Sequence, residues 1–226
     1  MEEIFEITED LMLGGLKIVQ DKRYYRFTSD SVLLSKFAKK AKRGETVADF
    51  CAGSGIVGLH YYGLNQKNVK SVHLFELQDP LCDLAQKSIE INKLNDVFAL
   101  VRGRLQDAPV IYNGAFSLIL CNPPYKKAGG GEQNLSPHVA ACRHETQITL
   151  EEIVACAKRM LKPGGTFCIC QRVERLCDLM FLLRSYALEP YETAFVRTEK
   201  SAPYLVMINA AKGKKPQLKV LNEIVN

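Results

Sequence analysis

The sequence predicts an α/β domain built on a mostly parallel, doubly wound sheet. Three observations carry that expectation. From Thr46 onward, short apolar runs alternate with segments that bear helix signals. The runs are nearly continuously apolar, as strands covered on both faces are. A glycine-rich turn follows the first of them, where such a sheet places its ligand loop. A chain of 226 residues suffices for one sizeable domain with a real core.

The strand candidates are Thr46–Phe50, Ser71–Leu77, Val97–Gly103, Phe116–Asn122 and Thr166–Arg172. DPLCDLAQKSIEINKLN offers Asp79 as a helix N-cap and Pro80 at the first helical position. TLEEIVACAKRMLKPGG opens with Thr149 and Glu152 in capping-box spacing. It is apolar at Ile153, Val154, Ala157, Met160 and Leu161, and is expected to stop at Pro163-Gly164-Gly165. A further helix is expected from about Glu174 to Ala187. Two last strands, near Tyr191–Thr198 and Tyr204–Ala211, read as antiparallel neighbours. Residues 1–45 read differently: YYRFTSDSVLLSKFAKKAK suggests a turn at Thr28–Asp30 and then an amphipathic helix. The expected organisation is an extension, 1–45, packed on a main domain, 46–226.

Hydrophobic residues make up 47% of the chain and charged residues 24%, which is ordinary for a globular protein. No run reaches the roughly 18 apolar residues of a membrane helix. MEEIFEITEDLMLGG lacks the basic start of a secretory signal, so the cytoplasm is the expected compartment. The eight cysteines form no C-x-x-C and lie mostly in apolar stretches, so they are expected as small hydrophobes rather than a disulfide framework. His138, Cys142 and His144 match no common zinc spacing, and no metal is expected. The net charge is +5. Positive charge gathers in Lys22–Phe27, in Lys36–Arg43, at Lys126 and Lys127, and in Lys212–Lys215. Solvated surface lysines are one reading; a basic face for phosphates is the other.

The first chemical motif is VADFCAGSGIVGL, which sets Asp49, Gly53, Gly55 and Gly58 between a strand and a helix. Glycines there let the backbone turn tightly and approach a ligand. The next strand ends in Glu76, 23 positions after Gly53 (76 − 53), where an acid can accept both hydroxyls of a ribose. NAD and S-adenosylmethionine both fit a G-x-G-x-x-G turn. The acidic start, D-x-x-x-G-x-G, favours the second: a carboxylate suits a cationic amino-acid-bearing ligand and repels a pyrophosphate. The bland alternative is a tight strand–helix turn with no ligand.

The second motif, CNPPY, follows the apolar run FSLIL at the carboxyl end of the fourth strand candidate. Ligands of doubly wound sheets bind at that end. An exocyclic amine of a nucleobase is a poor nucleophile, because its lone pair is conjugated into the ring. Two acceptors gripping its N–H hydrogens would aim that lone pair at a methyl group and stabilise the positive charge that develops. The Asn122 side-chain carbonyl and the Pro123 backbone carbonyl offer those acceptors. Pro123 and Pro124 stiffen the turn. Tyr125 offers a face for base stacking, worth roughly 1–3 kcal/mol. A proline-rich turn closing a strand is the plainer alternative.

The chain resembles class I S-adenosylmethionine-dependent methyltransferases with the N-P-P-Y signature of amino-group methylation. More narrowly, it resembles the bacterial tRNA (valine) adenine-N6 methyltransferase family. That resemblance is carried by DLMLGGLKIVQDKRYYRFTSDSVLLSKFA, CNPPYKKAGGG followed by ACRHE, LKPGGTFCICQRVERL and YLVMINAAKG. It implies a Rossmann-like, doubly wound seven-stranded sheet whose last strand pair is antiparallel, and S-adenosylmethionine as cofactor. It implies tRNA as partner and methyl transfer to N6 of an adenosine beside the anticodon. By that resemblance Asp49, Gly53 and Gly55 would line the methionine part of the cofactor, and Glu76 would hold its ribose. Thr28 and Asp30 would cap the pocket. Asn122, Pro123, Pro124 and Tyr125 would bind the target adenine. The family usually has an acid for the cofactor's adenine where Arg104 stands here, so that contact would shift to Asp107 or the backbone at Leu105. Lys126, Lys127 and Arg143 would meet RNA phosphates, although Arg143-His144-Glu145 reads equally well as a structural ion pair opening a helix.

Three other readings compete. A protein glutamine methyltransferase could hold an amide nitrogen in the same acceptor pair, but that class usually carries a helical N-terminal domain larger than 45 residues. A non-catalytic RNA-binding module of the same fold gives no role to an intact Asn122 and Glu76. A NAD oxidoreductase gives no role to N-P-P-Y.

Overall fold

The computed structural model describes residues 5–24, 26–123, 125 and 148–226. A hairpin of β1 (Glu6–Asp10) and β2 (Lys17–Asp21) leads to α1 (Ser29–Phe37). Then come β3 (Glu45–Phe50), α2 (Ile56–Asn65), β4 (Val69–Glu76), α3 (Asp79–Ile91), β5 (Phe98–Arg102) and β6 (Phe116–Cys121). After residue 147 follow α4 (Leu150–Met160), β7 (Leu161–Arg172), α5 (Leu176–Ser185), β8 (Leu188–Arg197) and β9 (Leu205–Lys212). Two short strands, β10 (Lys219–Val220) and β11 (Ile224–Val225), end the chain.

The main sheet runs β10-β8-β9-β7-β6-β3-β4-β5, with β11 also on β8. Strands β3 to β7 pair in parallel. β9 runs antiparallel to both β7 and β8, so the last long pair is antiparallel as expected. The seven long strands form the expected doubly wound sheet, but the sheet has nine strands rather than seven. The extra two residues-long strands occupy the edge of β8, where unpaired backbone groups await a partner. Segments this short carry no readable alternation.

Both faces are covered, which is why the strands are apolar throughout. Successive residues point to opposite faces. Val47, Leu74, Leu118 and Cys168 meet Leu34 of α1, Leu59 of α2 and Ile89 of α3. Ala48, Phe75, Ile119 and Phe167 meet Ile153 and Ala157 of α4 and Leu183 of α5. The hairpin packs beside α3: Val19 clusters with Leu81 and Leu84, and its N–H donates to Ser88 Oγ at 2.9 Å.

Three local expectations need correction. α3 has Gln78, not Asp79, at its N-cap; Asp79 lies in the first turn, where its charge faces the positive helix end. α4 stops at Met160, before Pro163, because Leu161 is already extended. Pro163-Gly164-Gly165 then forms an irregularity inside β7, whose pairing with β6 jumps from Phe116–Leu161 to Leu118–Thr166. The residue before a proline avoids helical geometry, and Gly164 takes φ +74°, so the segment turns out of the helix early. α5 is shorter than Glu174–Ala187, since a 3₁₀ turn, Val173–Arg175, precedes it. The Thr149/Glu152 capping box is present: Glu152 N–H donates to Thr149 Oγ1 at 3.2 Å, and Thr149 N–H donates to Glu152 Oε2 at 2.8 Å.

Candidate functional site

The twofold period of the strands assembles the site. On β3, β4, β6 and β7, the residues Val47, Leu74, Leu118 and Cys168 all face α1, α2 and α3. Counting two residues at a time to the carboxyl ends reaches Asp49, Glu76, Asn122 and Arg172. One face at one end of the sheet therefore collects an acid, an acid, an amide and a guanidinium from four different strands.

The glycine loop between β3 and α2 is built as its sequence demands. Gly53 has φ +57° and Gly55 φ +90°, conformations that side chains disfavour. No atom lies within 4 Å of where a Cβ on Gly53 would stand, so the loop's outer surface is open. At Gly58, by contrast, a Cβ would come within 2.8 Å of Leu74 Cδ2, so this glycine serves close helix–strand packing. Gly58 N–H donates to Asp49 Oδ2 at 2.8 Å. Asp49 is fully buried, and its Oδ1 has no hydrogen-bond partner among the described residues. Burial pushes its carboxyl up to about 7, with the nearby Glu76 carboxyl adding to the rise.

Glu76 is held from three directions. Its Oε2 accepts the Gly53 N–H at 2.8 Å, and its Oε1 accepts the Leu77 and Gln78 N–H groups, each at 2.9 Å. Burial raises its carboxyl above the ordinary value, and these three donors oppose the rise. A carboxylate offers about four lone-pair sites, so one remains for a ligand hydroxyl beside these three donors. The open glycine surface, the orphaned Asp49 oxygen and the rigid Glu76 suit a ligand with a cationic amino-acid end and a ribose.

At the end of β6, Asn122 is oriented on both sides. Its Nδ2 donates to Ser31 Oγ of α1 at 2.9 Å, which turns Oδ1 the other way. That Oδ1 accepts the Tyr125 hydroxyl at 2.5 Å and the Cys170 thiol at 3.1 Å. Burial pushes the Cys170 thiol up to about 12, so it remains a protonated donor. The Tyr125 hydroxyl also lies 3.3 Å from Asp30 Oδ2, and Tyr204 donates to Asp30 Oδ1 at 3.2 Å. Asn226 Nδ2 donates to both Tyr204 Oη, at 2.9 Å, and Ser29 Oγ, at 2.7 Å. Asp30 is thus buried and engaged by two tyrosines, while Thr28, the N-cap of α1, is exposed and makes no side-chain cap.

Pro123 is buried next to Asn122. Pro124, Lys126, Lys127 and Arg143 lie outside the described residues, as do His138, Cys142 and His144. Leu105 is buried in a 3₁₀ turn after β5, whereas Asp107 is exposed with its carboxylate 3.8 Å from Arg104 Nε. Ser31, Cys170, Arg172 and Tyr204 were not singled out from the sequence, because single polar residues in apolar runs carry no motif.

The basic stretches are the main correction. Lys212 ends β9, which runs antiparallel to β7, and its Nζ donates to Lys158 O at 2.9 Å and Leu161 O at 2.7 Å. The Lys212–Lys215 stretch therefore lies at the end of the sheet opposite the site. Lys36–Arg43 leads into the amino end of β3, and Lys39 pairs with Glu45 there at 3.0 Å. Arg23 pairs with Asp21 and Arg26 with Glu9, each at 2.6 Å. These cations do not form one free face beside Asn122.

Residues 28–181 match the model of the methyltransferase small domain family. The chain belongs to this family. The methyltransferase is 30% identical over 173 residues to a Shewanella sp. (strain W3-18-1) protein named tRNA1(Val) (adenine(37)-N6)-methyltransferase, covering 76% of this chain and 70% of that one. It is 29% identical over 161 residues to an Erwinia tasmaniensis protein of the same name, covering 67% and 60%. Among solved structures, Methanocaldococcus jannaschii Trm5 in complex with adenosine aligns with TM-score 0.67 at 14% identity, over 95% of this methyltransferase and 58% of that chain. M. jannaschii TYW2 in complex with AdoMet aligns with TM-score 0.62 at 13% identity, over 93% and 87%. At such identities the likeness is one of fold, that of class I methyltransferases. Among the described residues, no helix is long and apolar enough to cross a membrane.

Proposed function

We propose that this methyltransferase moves a methyl group from S-adenosylmethionine to N6 of an adenosine in the anticodon loop of tRNA. The observation that carries the reading is Asn122. It stands at the carboxyl end of β6, on the same face as Asp49 and Glu76, with Ser31 fixing which end of its amide is the acceptor. The relatives named as tRNA adenine-N6 methyltransferases support the same conclusion.

S-adenosylmethionine supplies an electrophilic methyl on a cationic sulfur. Asp49 and the Gly53–Gly55 turn would hold its amino-acid end, and Glu76 its ribose; Leu105 would line the adenine side. The chain's own task is the amine. Asn122 Oδ1 has two lone pairs, and the Tyr125 hydroxyl and Cys170 thiol take them in this structure. The incoming amine displaces the hydroxyl, for which Asp30 Oδ2 is a ready second acceptor at 3.3 Å. Released from Asn122, the Tyr125 ring stacks on the adenine. Asn122 Oδ1, with the Pro123 carbonyl, then stabilises the charge that grows on nitrogen. The N–CH3 bond forms as the methyl–sulfur bond breaks, S-adenosylhomocysteine leaves, and the now strongly acidic methylated nitrogen gives its extra proton to water, so no general base with a tuned pKa is needed. An anticodon-loop adenine is already partly unpaired, so extruding it costs less than from a duplex.

The test is nucleoside mass spectrometry after incubation with labelled cofactor and, side by side, bulk tRNA, duplex DNA and a glutamine-containing peptide. N6-methyladenosine from tRNA is the expected product. Preferential labelling of the duplex or the peptide would overturn the substrate assignment.

A further inference from the structure

We infer that Arg172 grips the phosphate of the nucleotide being methylated, using Tyr125 and Tyr204 as the platform that holds its guanidinium. The inference rests on the nucleic-acid reading above. β7 sends Cys168, Cys170 and Arg172 to the same face. The two thiols are fully buried, and Arg172 is exposed where the strand leaves the core. Its guanidinium lies 5.3 Å from the Tyr125 ring centroid and 5.5 Å from that of Tyr204.

A planar guanidinium that meets aromatic rings keeps its in-plane N–H fork for a second partner, and that fork matches phosphate oxygens. Among the described residues no carboxylate takes that fork: the cluster's own acid, Asp30, is engaged by the two tyrosine hydroxyls, and Arg172 forms no ion pair there. Tyr125 ties the cation to the chemistry, since its hydroxyl touches Asn122 Oδ1 while its ring touches Arg172. The charge-rich stretches Lys36–Arg43 and Lys212–Lys215 lie at the far end of the sheet, so Arg172 is the cation that the described site itself supplies.

The experiment compares the wild-type protein with Arg172→Ala and Arg172→Lys on bulk tRNA across a salt series. Arg172→Ala should raise KM for tRNA about tenfold, with a smaller change in kcat, since charged hydrogen bonds are worth that order. It should flatten the salt dependence by about 0.7 log unit per log unit of salt, the share of one single-strand phosphate. Arg172→Lys should keep the salt slope and recover part of the KM. Binding of S-adenosylhomocysteine should stay within twofold in all three. Wild-type KM and slope in Arg172→Ala would overturn the inference. So would a variant that loses thermal stability and cofactor binding while keeping the slope, because that pattern marks a purely structural clamp. A wild-type protein that methylates no RNA would remove the nucleic-acid reading itself, and this inference with it.

Discussion

Asp49 shows how a residue can be costly to fold and useful to bind. Its carboxyl in the folded chain sits at about 7, above the unfolded value of 3.8, because it is fully buried. Folding therefore retains a proton between those values, and the stability of the ligand-free protein falls as pH rises through that window and levels off above about 7. A cationic ligand reverses the preference by favouring the carboxylate. Below pH 7 binding must expel the proton, so affinity for S-adenosylmethionine should rise about tenfold from pH 6 to pH 8. Calorimetry over that range checks it, with Asp49→Asn expected to flatten the profile; a pH-independent wild type would refute the role. Asn122 makes a second residue-level case. Asn122→Ala removes the acceptor that the Tyr125 hydroxyl and the Cys170 thiol share, and with it one grip on the amine. Turnover should drop by about 10²–10³ with cofactor affinity little changed, as for the loss of a preorganised partner of developing charge. Near-normal single-turnover rates would show that Asn122 is not the acceptor.

At the scale of elements, the strand–loop–helix unit β3–α2 works only because α2 approaches β4 closely. A methyl on Gly58 would stand 2.8 Å from Leu74 Cδ2 and 3.2 Å from both Val72 Cγ1 and Asp49 Oδ2. Gly58→Ala should therefore destabilise the fold by about 1–3 kcal/mol, the usual cost of overpacking. Urea titration measures this, and a variant as stable as the parent would mean that the helix yields freely. The sequence does not reveal the hairpin β1–β2, because EITED and KIVQD show no regular apolar–polar alternation. Its strand β1 alternates exposed with half-buried positions, and what anchors β2 is remote: the Val19 N–H on Ser88 and the Lys17 N–H on Asn92.

For the whole molecule, strand direction decides what the charges can do. β9 reverses the chain, so Lys214 and Lys215 follow its far end, away from Arg172 at the close of β7. Charge reversal at Lys214 and Lys215 should leave kcat on tRNA within about twofold, because at physiological salt fields between exposed charges fade beyond roughly 8 Å. A loss of kcat comparable to that in Asn122→Ala would show that the far end takes part in the reaction.

The sequence by itself determined the doubly wound sheet, the glycine turn after β3, the acid closing β4 and the amide closing β6. Each is a local pattern: an apolar run, a spacing of glycines, a residue at a strand end. A period of two then carries such residues to one face without further information. The tertiary structure alone decided who holds Asn122, since Ser31 and Cys170 lie 91 and 48 residues away from it along the chain. It alone joined Tyr204 to Asp30 across 174 residues, and set Arg172 over two tyrosine rings. Such partners have no period and no spacing to betray them. They meet because parallel strands bring their carboxyl ends together, and the packing of α1 against that edge selects which side chains touch.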